Sequence, residues 1–173
     1  MTSIRLFVPG RPATAGSKTA VPMGARMGVI EAGSKESRAR KRTWRGDLRD
    51  AALNALREEK LDWGAGDPLE LTVVIVRARP AAHLRTGRNA GIVKEWAAQD
   101  RPVQRPDATK ILRAAEDALE GYLFADDAQI VKQTVYKVYG DQCGLTPAAE
   151  GLLIMVDRAN GYLGPTIEWE IAA

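Results

Sequence analysis

Ile4, Leu6 and Val8 alternate with Arg5 and Phe7, the period-two pattern of a half-buried strand, and Pro9-Gly10 followed by Pro12 ends it. Residues 10–33 are rich in glycine and proline and have no helical period; the short apolar run 27–30 predicts loop, short strand, loop. From Ser34 to about Lys60, Trp44, Leu48, Ala52, Ala55 and Leu56 recur at three- and four-residue spacing, which predicts a helix with a basic first half and a packing second half. Residues 69–77 are aliphatic and β-branched between Pro68 and Pro80, so they predict a well-buried strand. Residues 79–106 carry three prolines, two glycines, His83 and five arginines, the composition of a long loop that is either functional or mobile.

A second helix is predicted from Ala108 to about Leu119. Ala108, Ile111, Leu112, Ala115, Ala118, Leu119 and Tyr122 share one side, while Lys110, Arg113 and Asp117 share the other. Gly121 stands where a left-handed cap stops such a helix. Residues 126–139 alternate as a long strand closed by Gly140; residues 151–156 predict another, and 166–171 a final edge strand. The order argues for an α+β or α/β layer with two helices packed on one sheet, and the chain length suits a single domain over residues 1–173. The pattern leaves strand pairing open.

Composition adds compartment and partner. With 45% hydrophobic residues the chain can bury a core without disulfides, and the lone Cys143 can form neither an internal disulfide nor a thiolate zinc site, so a cytoplasmic protein is expected. No stretch is long and apolar enough to suggest a membrane span. The net charge of +3 says little about a nucleic-acid partner, but its distribution says more: Lys35, Arg38, Arg40, Lys41, Arg42 and Arg45 cluster, and Arg77, Arg79, Arg85, Arg88, Arg101 and Arg105 line the middle of the chain. Arginine supplies 17 of the 25 basic residues, a preference that suits bidentate phosphate contacts; an arginine-favouring codon composition produces the same excess.

The candidate chemistry is carboxylate chemistry. Asp107 precedes the second helix and Asp126-Asp127 follow it, so the acidic points are separated by a helix of roughly 18 Å unless the chain turns at Gly121 and runs back. Converging carboxylates are what a hard divalent cation needs, and in phosphodiester hydrolysis such an ion polarises the phosphate. Each point also has a structural reading: Asp107 as a helix N-cap, Asp126-Asp127 as a solvated turn, Glu116 and Asp117 as members of exposed ion pairs. His83 reads as a surface or phosphate-contacting residue and Cys143 as an unactivated thiol. The tryptophans read as packing residues, with base stacking open to Trp96 because it lies in the basic loop.

The segment Arg105-Pro106-Asp107-Ala108-Thr109-Lys110-Ile111-Leu112-Arg113-Ala114-Ala115-Glu116-Asp117-Ala118-Leu119, then Gly121, Asp126-Asp127-Ala128-Gln129-Ile130 and Lys137, resembles the signature region of RusA-family Holliday junction resolvases. That region carries a P-D-x-D-N-x-x-K helix start, a D-A-L helix, and D-D-x-Q leading into a lysine-bearing strand. Val8-Pro9-Gly10-Arg11-Pro12 with Lys18, and the loop 83–91, are similar to the family at lower specificity. The sequence departs from the pattern at Thr109, in place of the second aspartate, at Lys110, in place of asparagine, and at Arg113, in place of lysine.

The resemblance implies an α+β fold, a single-layer mixed β-sheet with two main helices packed on it, and a homodimeric, Mg²⁺-dependent endodeoxyribonuclease, with Mn²⁺ as a substitute, that places paired nicks in four-way DNA junctions in a bacterial or phage-infected cytoplasm. It implies Asp107 and Asp127 as catalytic residues with Arg113, metal ligation by Asp107, Asp126, Asp127 and Asp117, and DNA contacts from Lys110, Arg113, Lys137, Lys132, Arg85 and Arg88. The rival expectation is a junction-binding protein that does not cut, its metal site impaired by Thr109.

Overall fold

The computed structural model describes residues 3–14, 18–24, 26–31 and 34–159. In chain order the elements are β1 (Ser3–Pro9), β2 (Lys18–Met23), β3 (Arg26–Glu31), α1 (Lys35–Glu58), β4 (Leu69–Arg77), α2 (Ala108–Leu119), β5 (Ile130–Tyr139) and β6 (Gly151–Arg158). The main sheet is mixed and runs β1-β6-β4-β5. β6 is antiparallel to both its neighbours, whereas β4 and β5 are parallel, and α2 supplies the crossover that parallel neighbours need.

Both helices lie on one face of this sheet. Ile4, Leu6 and Val8 of β1, Leu69, Leu71, Val73 and Ile75 of β4, and Leu152, Ile154 and Val156 of β6 meet Trp44, Leu48 and Ala52 of α1 and Ile111, Ala115, Ala118 and Leu119 of α2 in one buried cluster. The expected α+β sheet with two helices is therefore what forms. Ser34 caps α1, its side chain accepting from the Ser37 amide at 3.2 Å, and Gly121 takes a left-handed φ of 76° just past α2.

Two expectations need amending. Residues 18–31 form a β2–β3 hairpin rather than loop, strand, loop; Pro22, which argues against a central strand, is tolerated in a two-stranded ribbon where each strand has a free edge. β5 starts at Ile130, because residues 127–129 make a tight helical turn first. The predicted strand at 166–171, with Trp169, lies outside the described residues.

The arginine-rich loop 79–106 is held to the domain by a buried cation. The Arg79 guanidinium donates to Asp141 at 2.8 and 2.9 Å and to the carbonyls of Ala97 and Ala98, and it stacks 4.5 Å from the Tyr139 ring. His83 fills the space beside it, edge-on to Tyr139 and Trp96 at 5.6 and 5.3 Å. Cys143, exposed, sits on the short turn that carries Asp141.

Arg79 holds the Asp141 carboxyl below the usual carboxylate range. A carboxylate whose pKa is lowered by folding contributes stability that is complete above its unfolded value near pH ~4 and is lost as pH falls through the folded one. Asp141→Ala, which strands a buried guanidinium, is expected to cost about 2–4 kcal/mol at neutral pH in urea titration. The gap between variant and wild type should shrink between pH 5 and 3; a pH-independent gap, or one below about 0.5 kcal/mol, would show that the pair does not anchor the loop.

Candidate functional site

α2 carries the site, and its two ends have opposite character. Its buried stripe faces the sheet, leaving Thr109, Lys110, Arg113 and Asp117 exposed with Glu116 half-buried at the edge. β5 runs back alongside it, so the start of β5 lies by the C-terminal end of α2 and Lys137 lies by the N-terminal end. Gln133 accordingly donates to Glu116, and Lys137 donates to the carbonyls of Gln104 and Pro106.

At the N-terminal end Asp107 occupies the N-cap position with extended backbone, but its side chain makes no cap hydrogen bond. It pairs instead with Lys110 at 3.1 Å. Lys110 first, then Arg105 and Lys137, hold the Asp107 carboxyl below the usual carboxylate range, so it is ionised at neutral pH. Burial, reinforced by Arg77, pushes the Lys137 ammonium below the usual lysine range, with Asp107 pulling the other way. Through its hydrogen bonds to the Gln104 and Pro106 carbonyls Lys137 fixes the chain that presents Asp107. A cleft of about 310 Å³ opens beside Asp107, lined also by Arg11, Arg40, Arg105 and Lys110.

The C-terminal end is acidic. Burial and then the charges of Asp127 and Asp117 push the Glu116 carboxyl up, while Arg113 opposes them. Asp126 and Asp127, adjacent in sequence, take different roles. The Asp126 side chain accepts from the Ala128 amide at 2.8 Å and caps the turn 127–129, as the solvated-turn reading anticipated, whereas Asp127 stays exposed beside Glu116.

Gln129 builds this end. Its buried amide accepts from Ala125 N at 2.7 Å and donates to the carbonyls of Gly64 and Asp67 at 2.8 and 3.1 Å, tying the reversal after α2 to the loop that precedes β4. The sequence showed this residue as part of a motif, yet only the contacts reveal it as the residue that positions Asp127.

Asp107 and Asp127 do not converge within the chain. The turn at Gly121 does send β5 back along α2, but the aspartates come before the strand has travelled, so they stay at the far end. Glu116, the neighbour of Asp127, stands nine residues beyond Asp107, roughly 14 Å up the helix. Lys132 also leaves the group. Period-two alternation puts it on the sheet face away from the helices, where it pairs with Glu70 at 2.8 Å. Arg85 bonds Glu95 at 3.3 Å and Arg88 is exposed, both within the anchored loop. Trp96 is 63% exposed, with Lys94 over its ring, so unlike Trp44 and Trp63 it is not a core residue.

Among the described residues no three His, Cys, Asp or Glu side chains gather closely enough to hold a metal by themselves. The donor chemistry of Asp127, Glu116 and Asp117 nevertheless fits a hard cation, since a positive ion relieves the mutual repulsion felt at Glu116. Mg²⁺ in particular needs few protein oxygens because it keeps waters and shares substrate phosphates. No helix among the described residues is long and apolar enough to cross a membrane.

A family model described as endodeoxyribonuclease RusA matches residues 25–146, more than half of the chain and inclusive of both helices, β4 and β5. A search of curated proteins returns no match.

Gln129→Leu is expected to lower stability by about 1–2 kcal/mol, because it leaves the Ala125 amide and two carbonyls without their partner in a part-buried place. Hydrogen exchange at the Ala125 and Asp126 amides should quicken with it. Amides as protected as in the wild type, with a loss under about 0.5 kcal/mol, would refute the role given to this side chain.

Proposed function

The chain belongs to the RusA endodeoxyribonuclease family, and from that membership we propose that it is a Holliday junction resolvase that works as a homodimer with Mg²⁺, or Mn²⁺ in its place, and places paired nicks in four-way DNA junctions. The family's activity is hydrolysis of DNA phosphodiester bonds; the metal, the dimer and the junction are our reading for this chain. The observation that carries the reading is the polarity of α2. An ionised Asp107 and a group of cations stand at one end, and Asp127, Asp117 and Glu116 stand at the other.

A two-fold pair of chains can join what one chain keeps apart. If the α2 helices of two protomers approach antiparallel, the basic end of one faces the acidic end of the other, which is favourable in charge and self-complementary as an isologous contact requires. Asp107 of one protomer and Asp127 of its partner then face each other, with Asp117 and Glu116 beside them. Two such sites per dimer match a reaction that cuts two strands.

Within each site Asp107, Asp127 and Asp117 would hold the ion, and Asp126 would act through the turn it caps. When bound, Mg²⁺ supplies Lewis acidity toward the phosphodiester. Arg113 and Lys110 hold phosphate oxygens, and Arg113 in place of the pattern's lysine offers a planar pair of donors instead of a point charge. Lys137 positions Asp107 by pinning residues 104–106. Thr109 keeps a hydroxyl where the pattern has a carboxylate, so the partner's Asp127 and Asp117 provide the negative charge. Arg85 and Arg88 extend the basic surface.

The test is cleavage of a labelled four-way junction in Mg²⁺ and in EDTA, with binding followed on the same samples. Paired nicks should need the metal, and Asp107→Asn and Asp127→Asn should each lower cleavage at least a hundredfold with binding kept. Mixing the two variants should restore about a quarter of the sites, since random exchange makes half the dimers mixed and each mixed dimer has one intact site. Those dimers should give single nicks. No recovery on mixing would refute the shared site, and tight junction binding without cleavage in Mg²⁺ or Mn²⁺ would refute the enzyme in favour of a junction-binding protein.

A further inference from the structure

The cleft beside Asp107 brings together segments far apart in the chain: residues 11–14 after β1, Arg40 of α1, and residues 105–110 at the start of α2. Four cations, Arg11, Arg40, Arg105 and Lys110, line it against one carboxylate, Asp107, which is already paired with Lys110. The first turn of α2 adds its own partial positive charge, because the Asp107 side chain does not cap it and helix N-terminal amides point toward an anion. Thr14 adds a hydroxyl.

Each wall is anchored. Ala13 and Pro12 are buried and Gly10 donates to the Glu150 carbonyl at 2.8 Å, so Arg11 is presented by a fixed segment. Arg40 stands one turn before Trp44, which is packed in the core, and Lys137 holds the chain just before Asp107. Arg11 and Thr14 also lie outside residues 25–146, the span covered by the family match.

We propose that Arg11 and Arg40 form a phosphate-binding subsite that seats one backbone phosphate of the DNA strand next to Asp107. Guanidinium forks match phosphate oxygens in pairs, and a helix N-terminus completes the cradle from below. This deepens the resolvase reading and rests on its DNA partner. A seated phosphate fixes the register of the strand along α2, so Arg11 and Arg40 orient DNA and take no part in bond breaking.

The experiment measures binding of a four-way junction in EDTA as a function of salt, for wild type, the double variant R11Q/R40Q, and the charge-matched control R57Q/K60Q at the far end of α1. Losing one phosphate contact in each protomer, two per dimer, should reduce the slope of log K against log salt by roughly 1.8 and weaken binding about a hundredfold, with the control close to wild type. Equal slopes for the double variant and the control would refute the subsite while leaving the resolvase reading intact. A wild type that binds no DNA would sink both. Sedimentation of the same samples covers the remaining alternative: if R11Q/R40Q dissociates to monomers, the two arginines serve the partner's carboxylates and the phosphate assignment falls.

Discussion

The side-chain amide of Gln129 closes the reversal between α2 and β5, accepting from Ala125 while donating to the carbonyls of Gly64 and Asp67. Such a reversal is a hard place for a fold, since the end of a helix and the start of a strand both leave backbone groups unpaired, and burying them unpaired costs about 1–3 kcal/mol each. Gln129 accepts from the Ala125 and Asp126 amides of the reversal with its oxygen and spends its two donors on the loop before β4. The rest of the site follows from the closure. α2 is laid on β4 and β5, β5 becomes parallel to β4, Asp126 is used up as a cap, and Asp127 is turned out toward Glu116.

With α2 fixed, its length becomes the governing distance. A buried stripe of Ile111, Ala115, Ala118 and Leu119 commits one side of the helix to the core, so all charge-bearing residues share the other. Cations gather at one end and carboxylates at the other, with roughly 14 Å of helix between Asp107 and Glu116. In the dimer proposed above, self-complementary surfaces would generate two equivalent places at which opposite ends meet.

The ion pairs divide into those that hold the fold and those that can be exchanged. Arg79 with Asp141 is enclosed by Tyr139, His83 and the carbonyls of Ala97 and Ala98, so its loss leaves a charge without water. Lys110 with Asp107, and Arg85 with Glu95, are exposed pairs that contribute little to stability. Their cations can therefore turn from a carboxylate to a phosphate at small cost, which is what a DNA-binding surface needs.

The sequence alone was enough for the two helices, the central strands, the class of the fold and the family, because periodicity and short motifs are local and survive without coordinates. It also marked Asp107, Asp127 and Arg113 as the residues worth watching. It misread residues 18–31, where Pro22 hid a strand whose free edge asks little of its backbone. Convergence of Asp107 with Asp127 was the natural expectation from a turn at Gly121, and only the fold showed where along the returning strand the aspartates fall. The same holds for Lys132, which one step of pleat sends to the other face, and for Arg11, Arg40 and Arg105, which share a cleft because distant elements pack there. Spacing along a chain fixes which side of its own element a residue takes; which residues of other elements it meets is decided by packing between elements.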